Sequence, residues 1–311
     1  DNDGINLGSP IPIKLRITVD GDTVDFDVTE SADQTMGPVN CGAAQAVSAL
    51  RVGYKLLISP DSNSNGGSFR PMTTQVRSGS VLGAVAPAPC QWYFSHLGLL
   101  IDLVSKAMAP AMPERVASAS HGDSMIITAA GFDPGFGRNF VSMEATLGGW
   151  GAWQGTDGES AMINNVNGSL KDLPIEMMET RYPLRINEYS IRPNSGGPGQ
   201  WRGGNGVVRE YEFLADCVVG LWFERSKTPA WGLFGGSDAQ GPEVVINPGR
   251  SDEVRTLKAN ARKVKAGDIV RLAVGGGGGF GDVSKRSRED ITNDIVNGFI
   301  TEDFARTHYG Y

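Results

Sequence analysis

The chain opens with two runs in which apolar and polar residues alternate. Apolar side chains occupy every second position from Ile11 to Val19, and again from Val24 to Val28. The dipeptide Asp20-Gly21 lies between the runs and favours a type I′ turn, which needs positive φ at both central positions. The first thirty residues are therefore predicted to form a half-exposed antiparallel hairpin.

Two longer segments change to helical spacing, with apolar residues at intervals of three and four. They cover residues 40–57 and 91–109, and the first is also rich in alanine, a strong helix former. Near the end of the chain, Ser287 and Asp290 have the spacing of a capping box, which predicts the start of a helix. A short final helix is predicted for residues 302–308.

Short apolar runs separated by glycine turns fill the part of the chain between Pro113 and this tail. The runs predict strands at residues 124–129, 189–192, 207–213, 217–223, 243–246 and 269–274. Many short antiparallel strands of this kind form a sandwich or a barrel. The predicted fold class is thus α+β, rich in β-structure with many glycine turns, with a few helices that include a C-terminal helical tail.

The change of texture along the chain also predicts its organisation. Residues 1–115 hold the hairpin and two helices, residues 116–283 the β-rich glycine-turn region, and residues 284–311 the helical tail. All three parts can also belong to one domain, because 311 residues suffice for one large domain or two ordinary ones.

Composition and charge exclude some partners. The net charge of −7 leaves no basic face to displace the counterions of DNA or RNA, so no nucleic acid is expected. The densest basic group, Lys285, Arg286 and Arg288, is interrupted by acidic residues, and we expect it to be a solvated helix face. No apolar run reaches the roughly 18 residues that cross a membrane, so no membrane partner is expected either.

Three widely spaced cysteines, Cys41, Cys90 and Cys217, fit a reducing compartment, and the expected location is the cytoplasm. Each cysteine lies among apolar or small residues, which predicts a buried, inert thiol. The chain begins at Asp1 without an initiator Met and enters a strand within ten residues. That beginning suggests a fragment, a processed product or a truncated chain.

One polar stretch is the best candidate for a binding pocket. It carries three amides, Asn164, Asn165 and Asn167, and two carboxylates, Glu176 and Glu179. Polar groups this close together need partners, so they line a pocket or build a structural turn network with a solvated helix face. The spacing of the two glutamates places both on one helix face if the segment is helical.

Two other features favour structural interpretations over binding sites. His121 and Asp123 are a conceivable pair of metal ligands, but two ligands near one turn fit a polar turn better than a metal site. The glycines at 275–279 follow a strand as in a phosphate-binding loop, yet no Gly-Lys-Ser/Thr follows them. A tight structural turn is the preferred interpretation of these glycines.

Several motifs, in their linear order, resemble the hydantoinase B family, as its C-terminal portion. They are Gly37-Pro38-Val39-Asn40, Phe69-Arg70-Pro71, Asn165-Val166-Asn167, Pro174-Ile175-Glu176 with Glu179, residues 194–206 (NSGGPGQWRGGNG), residues 231–236 (WGLFGG) and residues 275–281 (GGGGGFG). The family comprises hydantoinases of the B type, the C-terminal part of 5-oxoprolinase and the α subunits of acetone-type carboxylases.

The resemblance implies one part of an ATP-dependent complex. A hydantoinase A-type partner would bind ATP and Mg²⁺ and phosphorylate the substrate, and the B-type subunit would complete hydrolysis of a cyclic amide such as a hydantoin, a lactam or 5-oxoproline. The same resemblance allows a ketone carboxylase of the acetone or acetophenone type. A third alternative is a non-catalytic scaffold subunit of such a complex.

This chain lacks the family's N-terminal His and Asp motif, so no metal ligand is carried over to it. A divalent metal (Mn, Fe or Zn) is expected in that missing region. The expected assembly is a hetero-oligomer that contains the A-type subunit and a chain carrying the N-terminal part of the B-type subunit. A small-molecule lactam or ketone is the expected substrate, and catalytic residues in this chain are unassigned.

Overall fold

The structure is a computed structural model that describes residues 1–168 and 170–311. Within these residues the chain forms five α-helices and twelve strands, which confirms the predicted α+β fold class. The helices are α1 (Ala43–Ile58), α2 (Phe94–Met108), α3 (Ile175–Arg181), α4 (Arg288–Val296) and α5 (Glu302–Tyr309). The two long predicted helices correspond to α1 and α2, and the predicted tail helices to α4 and α5. No helix in the described part of the chain is long and apolar enough to cross a membrane.

The strands form three sheets that are antiparallel except for one pair. The first sheet has the order β1-β2-β3, with β1 (Arg16–Asp20), β2 (Thr23–Asp27) and β3 (Met72–Gln75), and β3 is parallel to β2. The second has the order β10-β9-β12-β7-β6, with β6 (Leu184–Ile191), β7 (Val207–Phe213), β9 (Glu243–Ile246), β10 (Val254–Arg255) and β12 (Ile269–Ala273). The third has the order β11-β8-β4-β5, with β4 (Ile126–Asp133), β5 (Arg138–Ala145), β8 (Cys217–Trp222) and β11 (Lys258–Val264).

The predicted hairpin exists, but its turn is of another type. Asp20 pairs with Thr23, so the two-residue turn is Gly21-Asp22 and not Asp20-Gly21. Only Gly21 has a positive φ, of 58°. Glycine at the first central position with negative φ at the second fits a type II′ turn, so the type I′ prediction was wrong. The strand begins at Arg16, later than the alternation of residues suggested.

The second and third sheets form a sandwich, one of the two predicted alternatives. Their facing side chains build one core, which includes Ile127 of β4, Leu221 of β8, Tyr211 of β7 and Leu272 of β12. A separate core lies between the first sheet and helices α1 and α2. At Gly53 of α1 an added Cβ would lie 2.9 Å from the Cβ of Val104, so glycine permits the close approach of α2.

Glycine segments outside the helices and strands pack against one another by their backbones. We call residues 148–152, 157–160, 195–206, 231–237 and 275–281 the glycine bundle. Gly277 N donates to Gly204 O at 2.9 Å, and a Cβ on Gly203 would lie 1.8 Å from Gly277 O. Because backbone occupies the space of the side chain, only glycine fits at such positions. The bundle is therefore a packed interior and not a series of turns.

The same contacts decide against a phosphate-binding loop at residues 275–279. The amides of Gly276, Gly277, Gly278 and Gly279 donate to the carbonyls of Gln240, Gly204, Ala119 and Ser237, respectively. A phosphate cradle needs free backbone N–H groups, and these four are already bonded. The glycines have a structural role, as preferred from the sequence, but as packed extended backbone.

The C-terminal tail is fixed to the glycine bundle by buried ion pairs. Arg286 donates to both carboxylate oxygens of Asp157 at 2.8 Å and to Asp294 at 2.6 Å. Arg202 also donates to Asp294, at 3.2 Å. The solvated-face interpretation is therefore wrong for Arg286, which precedes α4 and points inward, whereas Lys285 and Arg288 are exposed.

Replacement of Gly203 by alanine tests the backbone packing. The new Cβ would collide with Gly277 O, so we expect Gly203→Ala to lower the free energy of unfolding by about 4 kcal/mol or more. Gly66→Ala is the control, because no atom lies within 4 Å of its Cβ position and its φ is not positive. Urea unfolding of both variants measures the difference, and equal stability would contradict the assignment.

Replacement of Arg286 by methionine tests the tail. It leaves the carboxylates of Asp157 and Asp294 buried without their cation, and we expect a loss of about 3–5 kcal/mol in the free energy of unfolding. Arg288→Met at an exposed position should change stability by less than about 0.5 kcal/mol. A small, equal effect of both substitutions in thermal or urea unfolding would show that the ion pairs do not hold the tail.

Candidate functional site

Five polar side chains from separate elements meet beneath the glycine bundle. We call Asp102, His121, Asp123, Asn164 and Arg225 the buried polar cluster, since each is at most about a twentieth exposed. Helix α2 supplies Asp102, the loop before β4 supplies His121 and Asp123, and the segment after β8 supplies Arg225. Polar groups are buried at a cost in free energy, so a cluster of this size requires either internal pairing or a function.

Asp123 joins three elements of the structure. Its carboxylate accepts from Ser95 Oγ of α2 at 2.7 Å, from Glu224 N after β8 at 3.0 Å and from Met125 N before β4 at 3.2 Å. Burial raises the pKa of Asp123, against the lowering effect of these donors. Because protein donors already occupy both oxygens, Asp123 acts as a structural joint.

Asp102 and Arg225 form the charged pair of the cluster. The Nη2 of Arg225 lies 3.5 Å from Asp102 Oδ2, and Ser120 N donates to Asp102 Oδ1 at 3.2 Å. Burial raises the pKa of Asp102 to about 6, although Arg225 opposes the shift. The guanidinium also lies 4.7 Å from the ring centroid of Trp231, a cation–π contact, and its Nε and Nη1 have no protein partner among the described residues.

His121 presents an unpaired nitrogen to the interior. Its Nδ1 lies 3.2 Å from Gly149 O, so this nitrogen carries the proton, and Nε2 is a buried acceptor without a partner in the described part of the chain. Burial lowers the pKa of His121 to about 4, which keeps the ring neutral near neutral pH. The ring fits only because Gly148 has no Cβ, which would lie 2.3 Å from Cγ.

The structure places the three candidate amides close to this cluster. Asn167 Nδ2 donates to Ser124 Oγ at 2.7 Å, one residue after Asp123. Asn164 is fully buried against Gly98. Within residues 1–168 and 170–311, Asn164 Nδ2 and Asn165 Oδ1 are buried atoms without a hydrogen-bond partner. Donor and acceptor groups thus lie unpaired on neighbouring residues.

The two candidate glutamates lie elsewhere. Glu176 and Glu179 are exposed on α3, and Glu179 accepts from Ile186 N of β6 at 2.8 Å. Among the described residues, no hydrogen bond or ion pair connects them to the three amides. Their assignment to one pocket with the amides remains a prediction.

The residues present do not fit a metal site. Across residues 1–168 and 170–311, no three His, Cys, Asp or Glu side chains are grouped so that they could hold a metal ion. His121 and Asp123 lie near each other, but the carboxylate of Asp123 is committed to protein donors. No catalytic step is therefore derived through a metal in this chain.

Sequence reasoning missed Asp102 and Arg225. An acidic residue inside the apolar run of α2 was the available signal for Asp102, since a lone carboxylate there needs a buried partner. Arg225 follows a buried strand directly, but its partner is distant in sequence. The thiol prediction was partly wrong as well. Burial raises the pKa of Cys41 and Cys217 to about 12, whereas Cys90 is exposed.

Comparisons with known proteins place this geometry in context. The Hydantoinase B/oxoprolinase family model matches residues 1–283. A putative D-/L-hydantoinase of Pseudomonas sp. (strain NS671), in its B-type subunit, is 30% identical over 308 residues, which cover 96% of this chain and 51% of the relative.

Two solved structures are also similar. The crystal structure of ATP-dependent caprolactamase from Pseudomonas jessenii has a TM-score of 0.86 and 25% identity, over 96% of this chain and 53% of that chain. Acetone carboxylase has a TM-score of 0.77 at 20% identity, over 96% of this chain and 45% of that chain, which shows a shared fold. The chain spans about half the length of the relatives that it matches.

The neutral state of His121 predicts a pH dependence of stability. The folded state takes up a proton only near pH 4, whereas the unfolded state does so near 6.5, so stability falls as the pH decreases through this window. His121→Asn should abolish about 3 kcal/mol of that fall in the free energy of unfolding. His308→Asn, at an exposed position, is the control and should leave the profile unchanged. Parallel wild-type and His121→Asn profiles between pH 7 and 4 would contradict the interpretation.

Proposed function

The chain belongs to the hydantoinase B/oxoprolinase family, and we propose that it forms part of a B-type subunit in an ATP-dependent enzyme that hydrolyses a cyclic amide. The observation that carries the proposal is the fold similarity to ATP-dependent caprolactamase, at a TM-score of 0.86 over 96% of this chain. The chain corresponds to about half of that protein, so its contribution is part of a site that other residues complete.

Cyclic amides explain why such an enzyme would need ATP. Resonance makes a lactam carbonyl a poor electrophile, and phosphorylation of its oxygen supplies a good leaving group. A hydantoinase A-type partner with ATP and Mg²⁺ would perform that step, and relatives named as subunits support the presence of a partner. Fixed hydrogen-bond donors can then stabilise the charge that develops during hydrolysis.

The unpaired amides are the part of this chain best suited to a cyclic amide. A lactam presents one carbonyl acceptor and one N–H donor. Asn164 Nδ2 and Asn165 Oδ1 offer the complementary donor and acceptor, and both are buried without a partner among the described residues. Donors held by packing bind without the cost of ordering flexible side chains. In this proposal the amides orient the ring, and Asn167 holds their loop against Ser124.

A divalent metal, Mn, Fe or Zn, belongs to the proposal but not to this chain. The described residues offer no group of three ligands, so the metal would be bound by the part of the relatives that this chain does not span. Its chemistry there would be activation of a water molecule.

Ketone carboxylation is the second candidate. The similarity to acetone carboxylase supports it, but at 20% identity it concerns the fold alone. A non-catalytic scaffold role is the third candidate, and it predicts that no substitution in the amide loop affects turnover once assembly is preserved.

The decisive experiment is reconstitution. The chain is co-produced with an A-type subunit and with the remainder of the B-type subunit, and ATP hydrolysis is measured with hydantoin, caprolactam, 5-oxoproline or acetone. We expect turnover stimulated by one cyclic amide without bicarbonate, together with the ring-opened product in mass spectra. Strict dependence on a ketone and bicarbonate would establish the carboxylase instead. Full activity of the isolated chain would refute the multi-subunit proposal.

Variants in the same complex locate the site. Asn165→Ala should reduce the rate with the cyclic amide at least about tenfold, because one lost hydrogen bond in the transition state is worth about 1.4 kcal/mol or more. Glu176→Ala is an exposed control from the same stretch of sequence. Full activity of Asn165→Ala in an intact complex would favour the scaffold role, and loss of activity only with Glu176→Ala would move the site to α3.

A further inference from the structure

Strand β5 is a long, regular edge with an apolar surface. It is the terminal strand of the order β11-β8-β4-β5, and it pairs with β4 over eight residues without a register shift. Among the described residues, no backbone hydrogen bond outside the β4 ladder involves residues 138–145. Val141 is 72% exposed and Met143 67% exposed, and Phe132 and Phe136 of the same hairpin are also exposed. An unprotected edge of this kind is a template for another strand.

The other sheet edges in the described part of the molecule are protected. Strand β11 carries Lys258, Arg262 and Lys263 and has a register shift, and β6 has a shift between Ile186 and Glu188. The edge strands β1, β3 and β10 have five, four and two residues. Bulges, lysines and short length are the ordinary ways in which proteins block edge pairing. Strand β5 contains no lysine, no proline and no bulge.

The sequence of β5 is self-complementary about its centre. In an antiparallel pair of two β5 strands centred on Val141, Arg138 of each copy lies opposite Glu144 of the other, and Asn139 lies opposite Met143. Opposite charges across a strand pair stabilise it, whereas like charges destabilise it. The exposed Val141 side chains of the two copies meet at the twofold axis on the outer face.

We propose that two copies of this chain associate through β5, antiparallel and in register at Val141, so that their four-stranded sheets become one continuous sheet. Twofold pairing uses the same surface on both copies and leaves no free β5 edge. The surface lies on the third sheet and is apolar, unlike the polar amide loop, so the association is independent of the proposed chemistry.

Sedimentation velocity with the full chain tests the association. Interfaces of this modest size are often weak, so we expect a monomer–dimer equilibrium between about 1 and 100 μM. Val141→Lys places two ammonium groups opposite each other at the axis and should shift the midpoint at least about tenfold. Val296→Lys, at a position 78% exposed on α4, is the matched control and should leave the equilibrium unchanged. Arg138→Glu, which would face Glu144 of the other copy, should weaken it as well.

Cysteine cross-linking tests the register. In a background with the exposed Cys90 replaced by serine, Val141→Cys brings two Cβ atoms to about 4.5–5.5 Å across the axis, close enough to oxidise to a disulfide. Met143→Cys is equally exposed, but its symmetry mate lies four residues away, about 13 Å along the strand. We expect cross-linked dimers with the first variant and not with the second.

Other outcomes overturn the proposal. A chain that stays monomeric throughout the concentration series has no β5 dimer. Dimers that persist in Val141→Lys use another surface. Cross-linking of position 143 as readily as position 141 would exclude the Val141 register.

Discussion

Direct contact between glycine backbones is the constraint on which the rest of the structure depends. In the glycine bundle the carbonyl of one segment occupies the space that a Cβ of another would need, for example 1.9 Å from the Cβ position of Gly277 to Trp150 O. The segments then bond to each other as well as interlock, as with the reciprocal bonds of Trp201 and Phe280. Side-chain rotamers play no part in such an interior, so it has little freedom to relax around a substitution.

The bundle connects the parts that surround it. Strand β7 begins one residue after Gly206, β12 ends just before the glycines at 275–279, and Phe280 belongs to the core beneath α1 and α2. The backbone of the bundle also positions the buried polar cluster, since Gly149 O fixes the tautomer of His121 and Gly148 makes room for its ring. A rigid support of this kind suits residues that must present unpaired donors and acceptors to a ligand.

Buried charge in this chain is paired in two places with different consequences. Arg286, Arg202, Asp157 and Asp294 satisfy one another and hold the tail against the bundle. The pair of Asp102 and Arg225 is looser, at 3.5 Å, and leaves guanidinium nitrogens without partners among the residues that the structure describes. A fully satisfied network serves stability, whereas a partly satisfied one fits a site that is completed by another group.

The sequence by itself determined the local elements and the family, whereas tertiary structure decided the contacts between distant residues. Alternation and helical spacing located the hairpin, α1, α2 and the main sandwich strands, because those patterns depend on neighbours within a few residues. Strands β5 and β11 were missed, since pairing with β4 and β8, and not an apolar pattern of their own, makes them strands. For the candidate site, the sequence selected Asn164, Asn165 and Asn167 but also two glutamates that lie on the surface. It could not pair Asp102 with Arg225, or turn Arg286 inward, because burial and charge pairing depend on residues more than a hundred positions apart.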